Sequence, residues 1–265
     1  MSVLSADPHS AAVTRPAVWD PTRRQSIVDA DPGLVAGLDE RELTLARRYA
    51  GVLVAPVATG PWDPSALPQA GADGLGVLVL DGMFTREARF GDGVALEILG
   101  PDDLLPPGIP SGGNGSEEGL YNVMRPVTVA ILDDTFAQVA TRIPGLTTAL
   151  LARAHGRSDR LARHLAISAL PRVEDRLLGL LSLLAERFGH VGSDGVHLAL
   201  PLTHAVLGLL IGARRPTVTL AVTALRERGA VARIDGGGWL LPRAGPTLAG
   251  LPSAGAAWRG LEGLG

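Results

Sequence analysis

The sequence of 265 residues contains no cysteine and no lysine, and only 4% of it is aromatic. Without cysteine, disulfides, iron–sulfur clusters and thiolate ligation of haem are all excluded. Without lysine, all 24 basic side chains are arginine. With heavy use of alanine and glycine, this reflects a GC-rich coding sequence more than a mechanism. No run approaches ~20 apolar residues, so no membrane span is expected. The start, MSVLSADPHSAAV, lacks a basic stretch followed by an apolar one, so no signal peptide is expected and the protein reads as cytoplasmic. The six histidines stand at 9, 155, 164, 190, 197 and 204, none of them between 51 and 140. A cupin-type metal site, which needs several histidines and a carboxylate inside a barrel, is therefore excluded there, as is histidine ligation of haem. No G-x-S-x-G nucleophile motif occurs. The adjacent acids Asp102-Asp103 and Glu117-Glu118 point different ways, which suits turns better than acid–base chemistry. An enzyme is not expected, nor are a metal or a cofactor.

What is present is concentrated between Leu202 and Leu241. Thr203 is a good helix N-cap, because its hydroxyl accepts from an otherwise unpaired N–H. Val206, Leu207, Leu210 and Ile211 follow at helical spacing. Gly212 stops that helix in a left-handed cap, and Pro216 is tolerated in the first turn of the next. Val218, Val222 and Leu225 give this second helix, 214–228, one apolar face. Its other face carries Arg214, Arg215, Thr217, Thr219, Thr223 and Arg226. Gly229 ends it. Val231–Ile234 and Trp239–Leu241 then read as two strands around a glycine turn at 236–238. The order is that of a winged helix-turn-helix, whose second helix meets base edges in the major groove. The charge agrees. From 200 to 243, six arginines (214, 215, 226, 228, 233, 243) stand against Glu227 and Asp235, a net +4, so the rest of a chain of net −3 carries −7. A basic patch on an acidic chain suits phosphate neutralisation. The competing reading is a helix pair with a merely solvated arginine face.

The segment resembles the DNA-binding domain of the Crp–Fnr (cyclic-AMP receptor protein and fumarate-nitrate regulator) family. The carrying residues are Leu202-Thr203, Gly208, Ile211-Gly212, Arg215, Thr217-Val218, Leu225 and Gly229. The resemblance places Arg215 on the guanine-reading arginine of the family. Pro216 stands where many members have a base-reading glutamate, and Leu220 where several have a second arginine, so the operator differs from the usual one. Thr203, Arg214, Arg215, Pro216, Thr217, Thr219, Leu220 and Arg226, with Arg233 on the wing, are the expected DNA-binding residues.

Residues 1–30, rich in Ala, Ser, Pro and Asp, read as a poorly ordered arm. Asp39 and Glu42 at capping-box spacing, with Leu38 and Leu43 at staple positions, open a helix to about Tyr49. From 51 to 132, short β runs alternate with turns: 52–54, 76–80, 83–90, 94–99 and 127–132, with a hairpin at Gly91-Asp92-Gly93. These suggest an antiparallel β-barrel or jelly roll, and GVLVLDGMFTREARFGDGVALEILGPDDLL, with a strand ending at Asp81-Gly82, looks like the sensor barrel of that family. The phosphate cassette of the family, a Gly-Glu turn followed by Arg and a small hydroxyl residue, has no counterpart in Pro106–Gly115. Arg125 is the only candidate phosphate ligand, and Arg125-Pro126 reads as a strand start. Residues 51–140 hold three arginines against twelve acids, a net −9. Cyclic AMP binding is not expected.

Gly145–Leu170 reads as a long helix with a seam at Leu146, Leu150, Ala154, Leu161, Leu165 and Ser168, interrupted near Arg157. The resemblance implies a dimer interface; an ordinary core helix is the alternative. Pro171 starts the apolar core helix of the winged domain, and 196–200 a short strand. The tail from Ala244 fits either a folded-back helix or a frayed end. The expected fold is α+β. It runs as an arm (1–30), a cyclic-nucleotide-binding-like sensor barrel with flanking helices (31–142), a dimerisation helix (143–170), a winged helix-turn-helix (171–243) and a tail (244–265). The expected function is that of a homodimeric transcription regulator reading an inverted repeat in double-stranded DNA, with RNA polymerase as a further partner and no membrane partner. The alternatives are a protein-interaction module, or a regulator holding an apolar effector in its barrel.

Overall fold

The computed structural model describes residues 23–68, 70–71, 73–107 and 120–243. The chain divides into two compact units, 1–160 and 161–265. The last residues of the expected arm are regular structure in the first unit. Arg24–Ser26 is a strand (β1) and Ile27–Ala30 a helical turn (α1). Ile27 and Val28 are buried and Arg24 pairs with Asp133, which together anchor the segment. The rest of the arm, like the tail from 244, lies outside the described residues.

Helix α2 (Glu40–Tyr49) begins at the expected capping box. Asp39 Oδ1 accepts the Glu42 N–H at 2.7 Å, and Glu42 Oε2 accepts the Asp39 N–H at 3.3 Å. The other Glu42 oxygen accepts the Gly145 N–H at 2.7 Å. One carboxylate thus serves the positive ends of two helices.

Six further strands follow: β2 (Gly51–Val57), β3 (Gly60–Trp62), β4 (Gly76–Phe90), β5 (Gly93–Leu99), β6 (Leu104–Leu105) and β7 (Tyr121–Leu132). With β1 they form one antiparallel sheet in the order β1-β2-β7-β4-β5, with β3 pairing β7 and β6 pairing β4. The expected antiparallel, strand-rich first domain is present, but its sheet does not close into a barrel. Among the described residues the sheet is open, ending at β1 and β5, and it turns through bends in its two long strands. The β4–β7 register shifts between Val79 and Phe84, across from Pro126, which has no N–H to give the ladder. Gly82 sits at this bend with φ +87°, and a Cβ there would lie 2.1 Å from the Pro126 carbonyl oxygen. Asp81-Gly82 is therefore a mid-strand bend, not a strand end. Arg125-Pro126 is likewise inside β7, not at its start. Successive residues of β4 and β7 alternate between two cores. One holds Ile27, Val52, Leu78, Ala130, Leu132 and Phe136. The other holds Val79, Leu99 and Val129 beside Trp62, Phe84 and Tyr121, whose rings meet at centroid distances of 5.1 to 6.1 Å.

After α3 (Asp134–Ala140) comes α4 (Pro144–Ser168). Leu146 and Leu150 join the first core, so the front of the expected seam belongs to this unit's own interior. Leu161 and Leu165 of the expected seam are exposed, and Leu165 ends an exposed row on α4 formed with Leu151, His155, Ser158 and Ala162.

The second unit is built on α5 (Val173–Phe188), with β8 (His190–Val191), β9 (Gly195–Leu198), α6 (His204–Ile211), α7 (Arg215–Glu227), β10 (Ala232–Arg233) and β11 (Trp239–Pro242). Its small sheet runs β10-β11-β9-β8. Leu177, Leu181, Leu207, Ile211, Val218, Leu225 and Trp239 are each at most 2% exposed. They are the inward faces of α5, α6 and α7 and of the wing's last strand, packed as amphipathic helices must be.

Candidate nucleic-acid interface

The axes of α6 and α7 meet at 100°, within the usual range for a helix-turn-helix. Local chemistry sets this corner. Thr203 Oγ1 accepts the Val206 N–H at 3.2 Å. Gly212 closes α6 in the left-handed region at φ 64°. Gly208 lets the turn come close: the Ala213 N–H donates to its carbonyl at 2.8 Å, and a Cβ at 208 would lie 2.5 Å from the Ala213 oxygen. Pro216 stands in the first turn of α7.

Val218, Ala221, Val222 and Leu225 turn inward from α7. Arg214, Arg215, Pro216, Thr217, Thr219, Leu220, Thr223 and Arg226 are exposed. Leu220 is 72% exposed, so at this position an apolar side chain is offered to a partner and not to the core. The Thr219 and Thr223 hydroxyls each donate to the carbonyl four residues back, at 3.1 Å. Their protons are engaged, and what they present outward is a methyl group and acceptor lone pairs. The guanidinium groups of Arg214, Arg215 and Arg226 make no hydrogen bond or ion pair among the described residues.

Arg233 is placed differently from the other expected contacts. Its guanidinium lies 3.6 Å from the Trp239 ring centroid and donates to the Gly237 carbonyl at 2.7 Å and the Leu202 carbonyl at 3.5 Å. It ties the wing to the chain just before α6. Burial, and then Arg226, hold it below the usual arginine range.

Sequence reasoning passed over His204. Its Nδ1 lies 2.9 Å from Thr219 Oγ1. Burial, then Arg233 and Arg215, hold the imidazole below its ordinary value. The available signal was its position directly after the N-cap Thr203, at the mouth of the corner.

In the first unit the arginines of α4 face carboxylates. Arg153 pairs with Asp102 and with Asp31, and Arg160 with Asp103. Arg157 donates to both Glu97 oxygens at 3.0 and 2.9 Å. Asp103 is fully buried and also accepts the Gly100 N–H at 2.9 Å. Burial pulls Arg157 down, but the hydrogen bonds and charge of Glu97, with Asp103, hold it above the usual arginine range. Arg125, the candidate phosphate ligand, is exposed at the β7 bend. Most of the Pro106–Gly115 stretch lies outside the described residues. Among the described residues there is no cluster of metal-ligating side chains, and no single helix is long and apolar enough to cross a membrane.

A two-helix corner with an arginine-bearing second helix, a core helix behind it and a small wing define a winged helix-turn-helix unit. Residues 172–243 match the Crp-like helix-turn-helix domain family. The regulatory protein CysR of Synechococcus elongatus is 32% identical over 149 residues, 55% of this chain and 65% of CysR, so the chain spans slightly under two thirds of that relative's length. The fold is similar to that of a CooA variant from Carboxydothermus hydrogenoformans (TM-score 0.56, 15% identity, 86% of this chain and 94% of that one). It is also similar to that of CLP, a c-di-GMP-responsive global regulator from Xanthomonas campestris (TM-score 0.52, 16% identity, 77% and 99%). Residues 172–243 thus carry a Crp-like helix-turn-helix domain.

Proposed function

We propose that this protein is a dimeric, sequence-specific DNA-binding regulator that reads an inverted repeat through α7 and does not bind cyclic AMP. The carrying observation is the exposed row from Arg214 to Arg226, with three guanidinium groups that have no hydrogen bond or ion pair among the described residues. Arg can bond guanine O6 and N7 in a bidentate way, and Leu220 with the threonine methyls suits the thymine C5-methyl. Thr203, Pro216 and Thr217 border that row and complete the proposed contact set.

The dimer reading rests on α4. Leu151 is 54% and Leu165 74% exposed, and they fall with His155, Ser158 and Ala162 at alternating steps of four and three, the spacing of a coiled-coil seam. A two-fold dimer places two reading helices about one turn (~34 Å) apart on DNA. The absence of a cyclic nucleotide site is supported by the α4 arginines. Arg153, Arg157 and Arg160 are each matched to a carboxylate, which leaves little positive field for a phosphate. No catalytic role is proposed.

The test is binding of labelled duplex DNA to the full chain across salt. A steep fall of affinity with salt supports phosphate and base contacts, and a flat response contradicts them. Sedimentation of Leu165→Glu, expected to be monomeric where the wild type is dimeric, tests the seam. Calorimetry with cyclic AMP is expected to show no heat of binding.

A further inference from the structure

The proposed reading leaves one group at the helix corner without a use, the imidazole of His204. It is the first residue of α6, partly buried, and bonded across the corner to Thr219 of α7. The Thr219 hydroxyl has one proton, and the Arg215 carbonyl 3.1 Å away takes it. The proton in the bond to Nδ1 therefore comes from the ring. In the neutral state Nδ1 carries hydrogen and Nε2 does not. Nε2 has no hydrogen-bond partner among the described residues.

The surroundings oppose a charge on this ring. The charges of Arg233 on β10 and Arg215 on α7 both act on it, with Arg226 acting on Arg233. From α6 itself comes the positive end of the helix dipole, beside the Thr203 cap. None of the groups acting on the ring is a carboxylate. Burial adds to the same effect. The free protein thus keeps a neutral imidazole in the field of two guanidinium groups, on the residue that follows Thr203.

DNA reverses that field. A phosphate brought against Thr203, Arg215 and the start of α6 neutralises the arginines and adds negative charge beside the ring. Protonation of Nε2 then supplies one more donor, and the Nδ1 bond to Thr219 survives because Nδ1 carries hydrogen in both states. We propose that this protein takes up a proton at His204 when it binds DNA, so that the imidazolium becomes a phosphate contact and DNA affinity rises as the pH falls. The proposal rests on the DNA-binding reading of the second unit. The sign follows from linkage: the group titrates lower in the free protein than in the complex, so affinity grows between the two values and levels off outside them.

The experiment measures the affinity of the full chain for a labelled random-sequence duplex pool at constant ionic strength, from about pH 8 to about pH 6. It compares the wild type, His204→Asn and His204→Arg. Asn keeps a donor toward Thr219 but cannot titrate, and Arg carries a permanent charge. The wild type is expected to gain about threefold to tenfold in affinity across that range, one proton giving at most about tenfold per pH unit. Both variants should be flat, Arg tight and Asn weak. Ring-proton NMR should find His204 titrating below its ordinary range in the free protein and higher in the complex. Equal pH slopes in wild type and His204→Asn, or one His204 titration in both states, would overturn the proposal while leaving DNA binding intact. An absence of DNA binding by any of the three proteins at every pH would overturn the underlying reading as well.

Discussion

Arginine is used in opposite ways in the ion pairs of the first unit and on α7 of the second. In the first, Arg24, Arg153, Arg157 and Arg160 each meet a carboxylate, and one of those acids, Asp103, is fully buried. In the second, Arg214, Arg215 and Arg226 stand on α7 with neither hydrogen bond nor ion pair among the described residues. Arginine content alone would not separate these cases. What separates them is whether the counter-charge lies within the chain. An internally matched guanidinium holds helix to sheet, whereas an unmatched one leaves its field for a partner.

The contrast can be broken one residue at a time. The largest effect is expected from Asp103→Ala, which strands Arg160 and the Gly100 N–H beside a site closed to water. Thermal or urea unfolding should show a loss of about 2–4 kcal/mol, with DNA affinity per folded molecule unchanged. An effect under about 0.5 kcal/mol, the level of an exposed pair, would mean that the Asp103 pairing contributes little. Arg215→Ala should do the reverse. Stability should hold, while affinity for a selected duplex falls by about 1–3 kcal/mol and preference relaxes at one base pair. Equal weakening on all sequences would make Arg215 a phosphate contact.

Arg233 tests the border between the two uses. Its stacking on Trp239 and its two carbonyl bonds predict that Arg233→Ala lowers stability by about 1–2 kcal/mol. If it also meets phosphate, the salt slope of DNA binding drops by about 0.9. A stability loss with an unchanged slope would assign it to the wing's architecture alone. The smallest effect belongs to Arg163→Ala. The Arg163–Glu186 pair spans 2.8 Å but both side chains are about half exposed, so a change within about 0.5 kcal/mol is expected.

The corner of the second unit was legible in the sequence because its determinants are local. Thr203, Gly212, Pro216 and Gly229 each act within a few residues, and the apolar spacing of α7 states which face is buried. The first unit was legible only as strand-rich. Its bend depends on Gly82 meeting Pro126, 44 positions later in the sequence, and β6 has only two residues and no pattern of its own. The pairing of α4 with the sheet was hidden for the same reason, since Arg157 finds Glu97 60 residues away. The front of the expected α4 seam falls in the core because Leu146 and Leu150 satisfy a helical period equally well when they face the unit's own interior. His204 went unnoticed because its meaning depends on Thr219 across the turn.

The most direct test of the account is selection from a random duplex pool by the purified full chain without added ligand. Enrichment of an inverted repeat with half-sites about one helical turn apart is the predicted result, and it would establish a dimeric reader whose arginines face DNA. Recovery of no preferred sequence by a folded dimer would contradict effector-free reading of DNA through α7.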